Sequence, residues 1–86
     1  MEITVKKPTE EEREFMETMG TWSCGVSKFD WYYDMEETCL LLEGQVTVTY
    51  DGGSVSFGKG DLVVFPKGLQ CVWDVTKPVK KHYLFK

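Results

Sequence analysis

The residues best suited to chemistry lie in one stretch, from Gly25 to Gly44, which reads GVSKFDWYYDMEETCLLLEG. A glutamate, Glu37, lies in it between an aromatic run and an apolar segment. Alternate residues of a strand point to the same side, so Trp31 and Tyr33 share a face. If that face is the inside of a barrel, these rings line a pocket. A carboxylate removed from water there is a candidate for general acid–base catalysis.

Three cysteines and one histidine are the other candidate functional side chains. The cysteines, Cys24, Cys39 and Cys71, are odd in number and widely spaced, which is typical of free thiols in a reducing compartment. No CxxC pair is present, so a thiolate zinc site is not expected. His82 stands alone near the C-terminal end, where a single histidine is more often structural or exposed than a ligand. We therefore expect a cytoplasmic protein.

Composition and charge exclude several classes of function. The 86 residues are 42% hydrophobic and 14% aromatic, which predicts one folded domain over residues 1–86. The net charge of −4 at pH 7 disfavours nucleic acid and anionic membranes as partners. No stretch is apolar enough to span a bilayer. The basic residues near the C-terminal end are interpreted as solvated surface: Lys77, Lys80, Lys81 and Lys86.

The N-terminal segment predicts a short strand followed by one short helix. Residues 2–6 alternate weakly and are rich in branched side chains, as in a strand. Thr9 and Glu12 have the spacing of a capping box, which predicts a helix that begins there and ends near Met19. Its apolar stripe is expected to pack against another element; the stripe consists of Phe15, Met16 and Met19.

From residue 21 onward the periodicity is that of short β-strands separated by glycine turns. Asp51-Gly52-Gly53 is typical of a hairpin turn, and Lys77-Pro78 is predicted to break the chain before a last strand. Short strands at this spacing indicate an all-β sandwich or barrel. The predicted strands cover residues 21–26, 29–33, 38–43, 46–50, 55–57, 62–65, 69–75 and 79–85.

Two groups of residues have the spacing of the two cupin motifs. They are Gly25-x5-Trp31-x-Tyr33-x3-Glu37-x6-Gly44 and Gly60-x5-Pro66-x-Gly68-x2-Cys71. The whole chain resembles a minimal single-domain cupin. Its WYYD, EETC, LEG and GDLV segments are similar to those of the small cupins related to (S)-ureidoglycine aminohydrolase. The resemblance implies an all-β fold, a single cupin jelly-roll β-barrel with one short N-terminal helix.

The chain departs from the cupin pattern at the metal ligands. The resemblance implies three histidines and a glutamate around a metal ion, but only Glu37 of this set is present. Trp31 and Tyr33 occupy two histidine positions, yet indole cannot ligate a metal and neutral phenol is a poor ligand. Cys71, in the third, could ligate as a thiolate, but with Glu37 it supplies only two ligands. We therefore predict no metal and no cofactor, and an unconventional Glu/Cys/His metal enzyme is the least favoured hypothesis.

The resemblance also implies that the two motifs meet in the barrel interior. Glu37 and Cys71 are then the candidate catalytic residues. Cys71 is interpreted first as a buried hydrophobe or hydrogen-bond partner, because a neighbouring carboxylate disfavours its thiolate. Strand alternation adds Cys39 to the side of Glu37 and Trp73 to the side of Cys71. The candidate binding residues are Trp31, Tyr33, Trp73, Cys39 and His82.

Two functions follow from these expectations, and the sequence does not decide between them or establish catalysis. The first is a small-molecule-binding cupin that lacks the histidine triad and binds or turns over a small polar, nitrogen-containing metabolite; ureidoglycine chemistry is implied by the resemblance alone. The alternative is a non-catalytic module for dimerisation or partner binding, whose aromatic side chains simply fill the barrel. A solvent-open pocket at Glu37 would favour the first. A homodimer is expected because so small a barrel has little core, with its interface on the N-terminal strand or the Phe15/Met16 helix face.

Overall fold

The computed structural model describes all 86 residues, which form seven β-strands and one short helix. The helix α1 (Glu10–Met16) follows the first strand, and it is too short and too polar to cross a membrane. The predicted all-β fold with one short N-terminal helix is confirmed. The strands are β1 (Thr4–Lys6), β2 (Thr21–Cys24), β3 (Ser27–Tyr32), β4 (Glu37–Tyr50), β5 (Gly53–Gly58), β6 (Leu62–Phe65) and β7 (Gln70–Phe85).

The two longest strands, β4 and β7, organise the whole antiparallel sheet. β4 pairs with β5, β6 and β7, whereas β7 pairs with β2, β3 and β4. β1 pairs only with β6, so it forms one edge of the sheet. The first cupin-like motif ends in β4 and the second ends in β7, so the two motifs meet in one pair of strands.

β4 and β7 each run through a point where the sequence predicts a break, so the predictions of separate strands there were wrong. The register between them shifts on both sides of Gly44. Gly44 has a φ of +105°, and a Cβ atom there would lie 2.5 Å from the carbonyl oxygen of Pro78. Glycine permits this close approach, and proline is tolerated in a strand at a bulge. The two strands consequently bend together and continue.

The helix begins as the sequence predicts and covers the outside of the sheet. The Thr9 hydroxyl accepts a hydrogen bond from the Glu12 N–H at 3.1 Å, and the Glu12 carboxylate accepts one from the Thr9 N–H at 2.9 Å. Met16 is buried and packs with Leu40 and Leu62. Met16 is thus a core residue, and only Phe15 of the predicted helix interface is exposed.

The main core fills the barrel interior, and it changes character along the strands. Around the bend of β4 and β7 it contains four valines, which are Val46, Val48, Val75 and Val79, together with Phe57 opposite Val46. Towards the start of β4 it becomes aromatic. There the rings of Tyr33 and Phe65 stack with their centres 4.8 Å apart. This aromatic region borders the candidate site.

Candidate functional site

An aromatic-lined cavity of about 240 Å³ opens at the aromatic end of the core. Its base is formed by four buried residues, which are Tyr33, Glu37, Trp73 and Lys81. Its rim is formed by exposed rings of Trp22, Trp31 and Phe85, and Phe29 and Tyr83 lie between base and rim. Apart from one carboxylate and one ammonium group, every side chain of the lining is aromatic.

The polar centre of the cavity is Glu37, and both of its oxygens are engaged. The Tyr33 hydroxyl donates to Oε1 at 2.7 Å, and the Lys81 ammonium donates to Oε2 at 2.6 Å. Glu37 is 1% exposed and Lys81 is 6% exposed, so this is a buried ion pair. A buried carboxylate requires such partners, because it has lost its hydration.

Lys81 is held between two indole rings as well as by the carboxylate. Its Nζ lies 4.6 Å from the ring centre of Trp73 and 5.1 Å from that of Trp22, within the range of cation–π attraction. The bond to Glu37 is the only hydrogen bond that the ammonium group makes. Two of its three N–H donors are therefore uncommitted.

Burial also fixes the protonation of the neighbouring hydroxyl and thiols. Burial, and next the charge of Glu37, raise the pKa of Tyr33 far above its ordinary value, so its hydroxyl stays a donor. Burial likewise raises the pKa of Cys39, although the Lys81 ammonium opposes this in part. Burial and then Glu37 raise the pKa of Cys71 to about 11, so its thiol is protonated at neutral pH.

The sequence profile of the EutQ-like cupin domain matches residues 11–83 of the chain. The chain belongs to the EutQ-like cupin family. The cupin resemblance is thereby confirmed, whereas no comparison shows a relation to (S)-ureidoglycine aminohydrolase. No curated protein matches the chain.

Solved structures share the fold of this chain. A DUF861 family protein from Thermotoga maritima is 50% identical, with a TM-score of 0.93 over 99% of this chain and 100% of its own. The EutQ protein of Clostridium difficile is 24% identical, with a TM-score of 0.71 over 96% of this chain and 66% of its own. A putative ethanolamine utilization protein Q from Salmonella typhimurium is 20% identical, with a TM-score of 0.70 over 96% of this chain and 68% of its own. The similarities to the Clostridium difficile and Salmonella typhimurium proteins show the fold alone.

In this EutQ-like cupin, four of the seven predicted site residues line the cavity: Trp31, Tyr33, Glu37 and Trp73. The other three lie outside the lining. Cys39 and Cys71 are buried within the core cluster, and the Cys71 thiol lies 3.5 Å from the carbonyl oxygen of Trp31. Nδ1 of His82 lies 2.9 Å from the carbonyl oxygen of Met19, away from the cavity, because its strand neighbour Lys81 is the residue that points inward.

Lys81 is the most important residue that sequence reasoning missed, and its interpretation as solvated surface was wrong. The signal was the alternation along β7, where Trp73, Val75, Val79 and Lys81 are all buried. The predicted break at Lys77-Pro78 hid this alternation. Trp22, Phe29, Tyr83 and Phe85 were also not predicted as part of the site, although they line it.

The residues present do not fit the metal site that the cupin fold implies. No group of three His, Cys, Asp or Glu side chains is arranged to hold a metal ion. The one retained ligand position, Glu37, is instead bonded to a tyrosine and a lysine. The site is therefore described by its own side chains, and the absence of a metal stays a prediction.

The indole N–H of Trp73 is an unusual feature of the base. It is buried and makes no hydrogen bond. Buried polar groups without a partner are uncommon in folded proteins.

Proposed function

We propose that this EutQ-like cupin binds a small organic molecule in the cavity whose base is the Glu37–Lys81 ion pair. One observation carries the proposal: a buried, fully ion-paired carboxylate lies at the base of an open, aromatic-lined cavity. Ligand sites are typically apolar clefts in which a few polar groups fix orientation. The cavity has this composition, with seven aromatic residues and one pair of opposite charges.

The ion pair supports a binding role because stability alone does not account for it. Removing two charges from water costs several kcal/mol per ion, and the attraction between them often only offsets that cost. Buried ion pairs can commonly be replaced by apolar side chains with no loss of stability. A pair that faces a cavity can instead supply hydrogen bonds to a guest molecule.

The rim supplies apolar contact area. Trp22, Trp31 and Phe85 are 39%, 46% and 38% exposed, so each leaves a large part of an aromatic ring in water. A ligand that covers these rings would gain stacking and hydrophobic contacts. The volume of about 240 Å³ lies below the roughly 300–1,000 Å³ of pockets for drug-sized molecules, which favours a smaller ligand.

The open cavity favours the binding function over the alternative in which aromatic side chains fill the barrel. The finer expectations stay proposals. Ureidoglycine chemistry and catalysis by Glu37 have no support beyond the sequence. The homodimer is likewise proposed, with Phe15 as one exposed apolar residue available to an interface.

A thermal-shift screen of small aromatic and heterocyclic compounds tests the proposal, with hits verified by calorimetry. The double variant Glu37→Gln/Lys81→Met removes both charges while it keeps similar side-chain volumes, and Lys80→Met is the matched control on the exposed face of β7. We expect hits to bind the double variant at least tenfold more weakly and to bind the control as they bind the native protein. The proposal is overturned if no compound binds, or if the double variant binds as well as the native protein.

A further inference from the structure

We infer that the cavity takes a planar, uncharged molecule that presents a carbonyl oxygen beside an N–H group, as a cyclic amide does. This inference rests on the proposed binding function and names the chemical class of its ligand. It follows from three properties of the lining, which are its net charge, its unused hydrogen-bonding capacity and its shape.

The charge of the lining favours an uncharged ligand. Glu37 and Lys81 are the only ionised side chains that line the cavity, and their charges cancel at a separation of 2.6 Å. An anionic ligand would leave one net negative charge against aromatic ring faces, which disfavour it because it has lost its hydration. A cationic ligand would add a second positive charge near the Lys81 ammonium, which already occupies the cation–π positions over Trp22 and Trp73.

The pair can nevertheless bind a ligand without separating. The Lys81 ammonium uses one of its three donors, and each Glu37 oxygen accepts one hydrogen bond although it has two lone pairs. Two N–H donors of Lys81 and one lone pair on each Glu37 oxygen are thus unused, and the Lys81 ammonium lies next to Glu37 Oε2. The complementary group on a ligand has an acceptor beside a donor, which is the C(=O)–NH edge of an amide.

The walls favour a flat molecule. The rings that are partly exposed at the rim are those of Trp22, Trp31 and Phe85, whereas Trp73 is 2% exposed and already stacked on Phe29. Trp22 stands almost perpendicular to Trp73 at 6.4 Å. Such surfaces bind another planar ring by offset stacking or by edge-to-face contact. The amide edge is therefore expected on a ring rather than on a flexible chain.

Four single-ring probes of similar size test this class: 2-pyridone, N-methyl-2-pyridone, benzoate and benzylamine. N-methyl-2-pyridone keeps the ring and the carbonyl group but lacks the N–H donor. Binding at pH 7 can be followed by NMR through the indole N–H signals, because all three tryptophans of the chain line the cavity. We expect 2-pyridone to bind about tenfold or more tightly than each of the others, as loss of one hydrogen bond to a charged group predicts.

The double variant Glu37→Gln/Lys81→Met should abolish the preference for 2-pyridone over its N-methyl analogue, and Lys80→Met should retain it. Equal or tighter binding of N-methyl-2-pyridone, benzoate or benzylamine would show that the class is wrong while the cavity still binds small molecules. Failure of all four probes, when the compound screen yields other ligands of the cavity, would also overturn the class alone. Failure of both experiments would overturn the class and the proposed function together.

Discussion

The barrel interior contains two regions that are built on the same two strands and filled differently. Around the bend, Val46 and Val75 are fully buried in an entirely hydrophobic core cluster, where Val46 also pairs with Phe57, as in the packed interior of a small barrel. At the other region, Glu37 and Lys81 lie among aromatic rings, and about 240 Å³ stays open. The aromatic residues at the former ligand positions therefore do not plug the barrel. They surround a polar pair and leave room beside it.

Two ion pairs have similar lengths but differ in burial. Lys81 and Glu37 are 2.6 Å apart and buried, whereas Lys7 and Asp61 are 2.8 Å apart with the Lys7 side chain 77% exposed. Exposed pairs contribute about 0–1 kcal/mol, because water and salt screen them. The members of a buried pair depend on each other, because neither charge can be rehydrated when the other is removed. This contrast predicts that substitutions at the two pairs differ in their effects on stability.

Removing only Lys81 should have the largest effect. Lys81→Met leaves the Glu37 carboxylate buried without its cation and also removes the contacts with two indole rings. We expect the free energy of unfolding, measured with urea at pH 7, to fall by about 3–5 kcal/mol. Lys80→Met, on the neighbouring exposed position, should change it by less than about 0.5 kcal/mol. A loss below about 1 kcal/mol for Lys81→Met would remove the distinction between the two regions.

The cluster beneath the helix should show an intermediate effect that involves no charge. Met16 is 1% exposed and packs against Leu40 and Leu62, so Met16→Ala should reduce the free energy of unfolding by about 2–3 kcal/mol. The adjacent Phe15 is 53% exposed, and Phe15→Ala should have a much smaller effect. If thermal and urea unfolding showed that both substitutions reduce the stability equally, the conclusion that Met16 faces the sheet and Phe15 faces solvent would be contradicted.

The surface pair should have a small and pH-dependent effect. Partial burial acts to raise the pKa of Asp61, but hydrogen bonds from Lys7 and the Gly58 N–H outweigh it and hold the pKa below its usual value. A lowered pKa stabilises the folded state above the pKa of the unfolded chain, near 4, and this stabilisation is lost as the pH falls through the folded-state pKa. Asp61→Asn should therefore cost about 1 kcal/mol at pH 7, and the difference from native protein should shrink below about pH 4. A difference that stayed constant down to pH 2 would contradict this assignment.

The reactivity of the three cysteine thiols should differ between the barrel interior and the protein surface. Cys39 and Cys71 are 0% and 2% exposed, and the pKa of Cys71 is raised to about 11 by burial and the Glu37 charge. At pH 7 a disulfide reagent such as DTNB should modify only the half-buried Cys24 in the folded protein. All three should react after unfolding. Rapid modification of Cys71 in the folded state would restore it as a candidate nucleophile.

Much of the fold could be predicted from the sequence because local signals agree with the final structure. The capping box at Thr9 and the strand at residues 62–65 were predicted correctly. The continuity of β4 and β7 could not be, because it depends on the close approach of Gly44 and Pro78, which are 34 positions apart in sequence. Local rules for proline predict a break there, and only the paired strand shows that the bend is shared.

The candidate site was predicted only in part for a related reason. Glu37, Tyr33 and Trp31 belong to one motif, so sequence spacing was sufficient to group them. Lys81 lies 44 positions from Glu37 and on the far side of the predicted break. Lysine is rarely buried without a partner, so composition favoured a surface position. The partner that permits its burial becomes apparent only when β4 and β7 are placed side by side.

The claim that the buried pair is present for binding rather than for stability is tested most directly by the unfolding free energy of the double variant. Glu37→Gln/Lys81→Met removes both charges, so neither is left buried alone. We predict that its free energy of unfolding in urea at pH 7 lies within about 1 kcal/mol of the native value or above it. A double variant that is as unstable as Lys81→Met, about 3–5 kcal/mol below the native protein, would show that the pair is a structural element and would contradict this account.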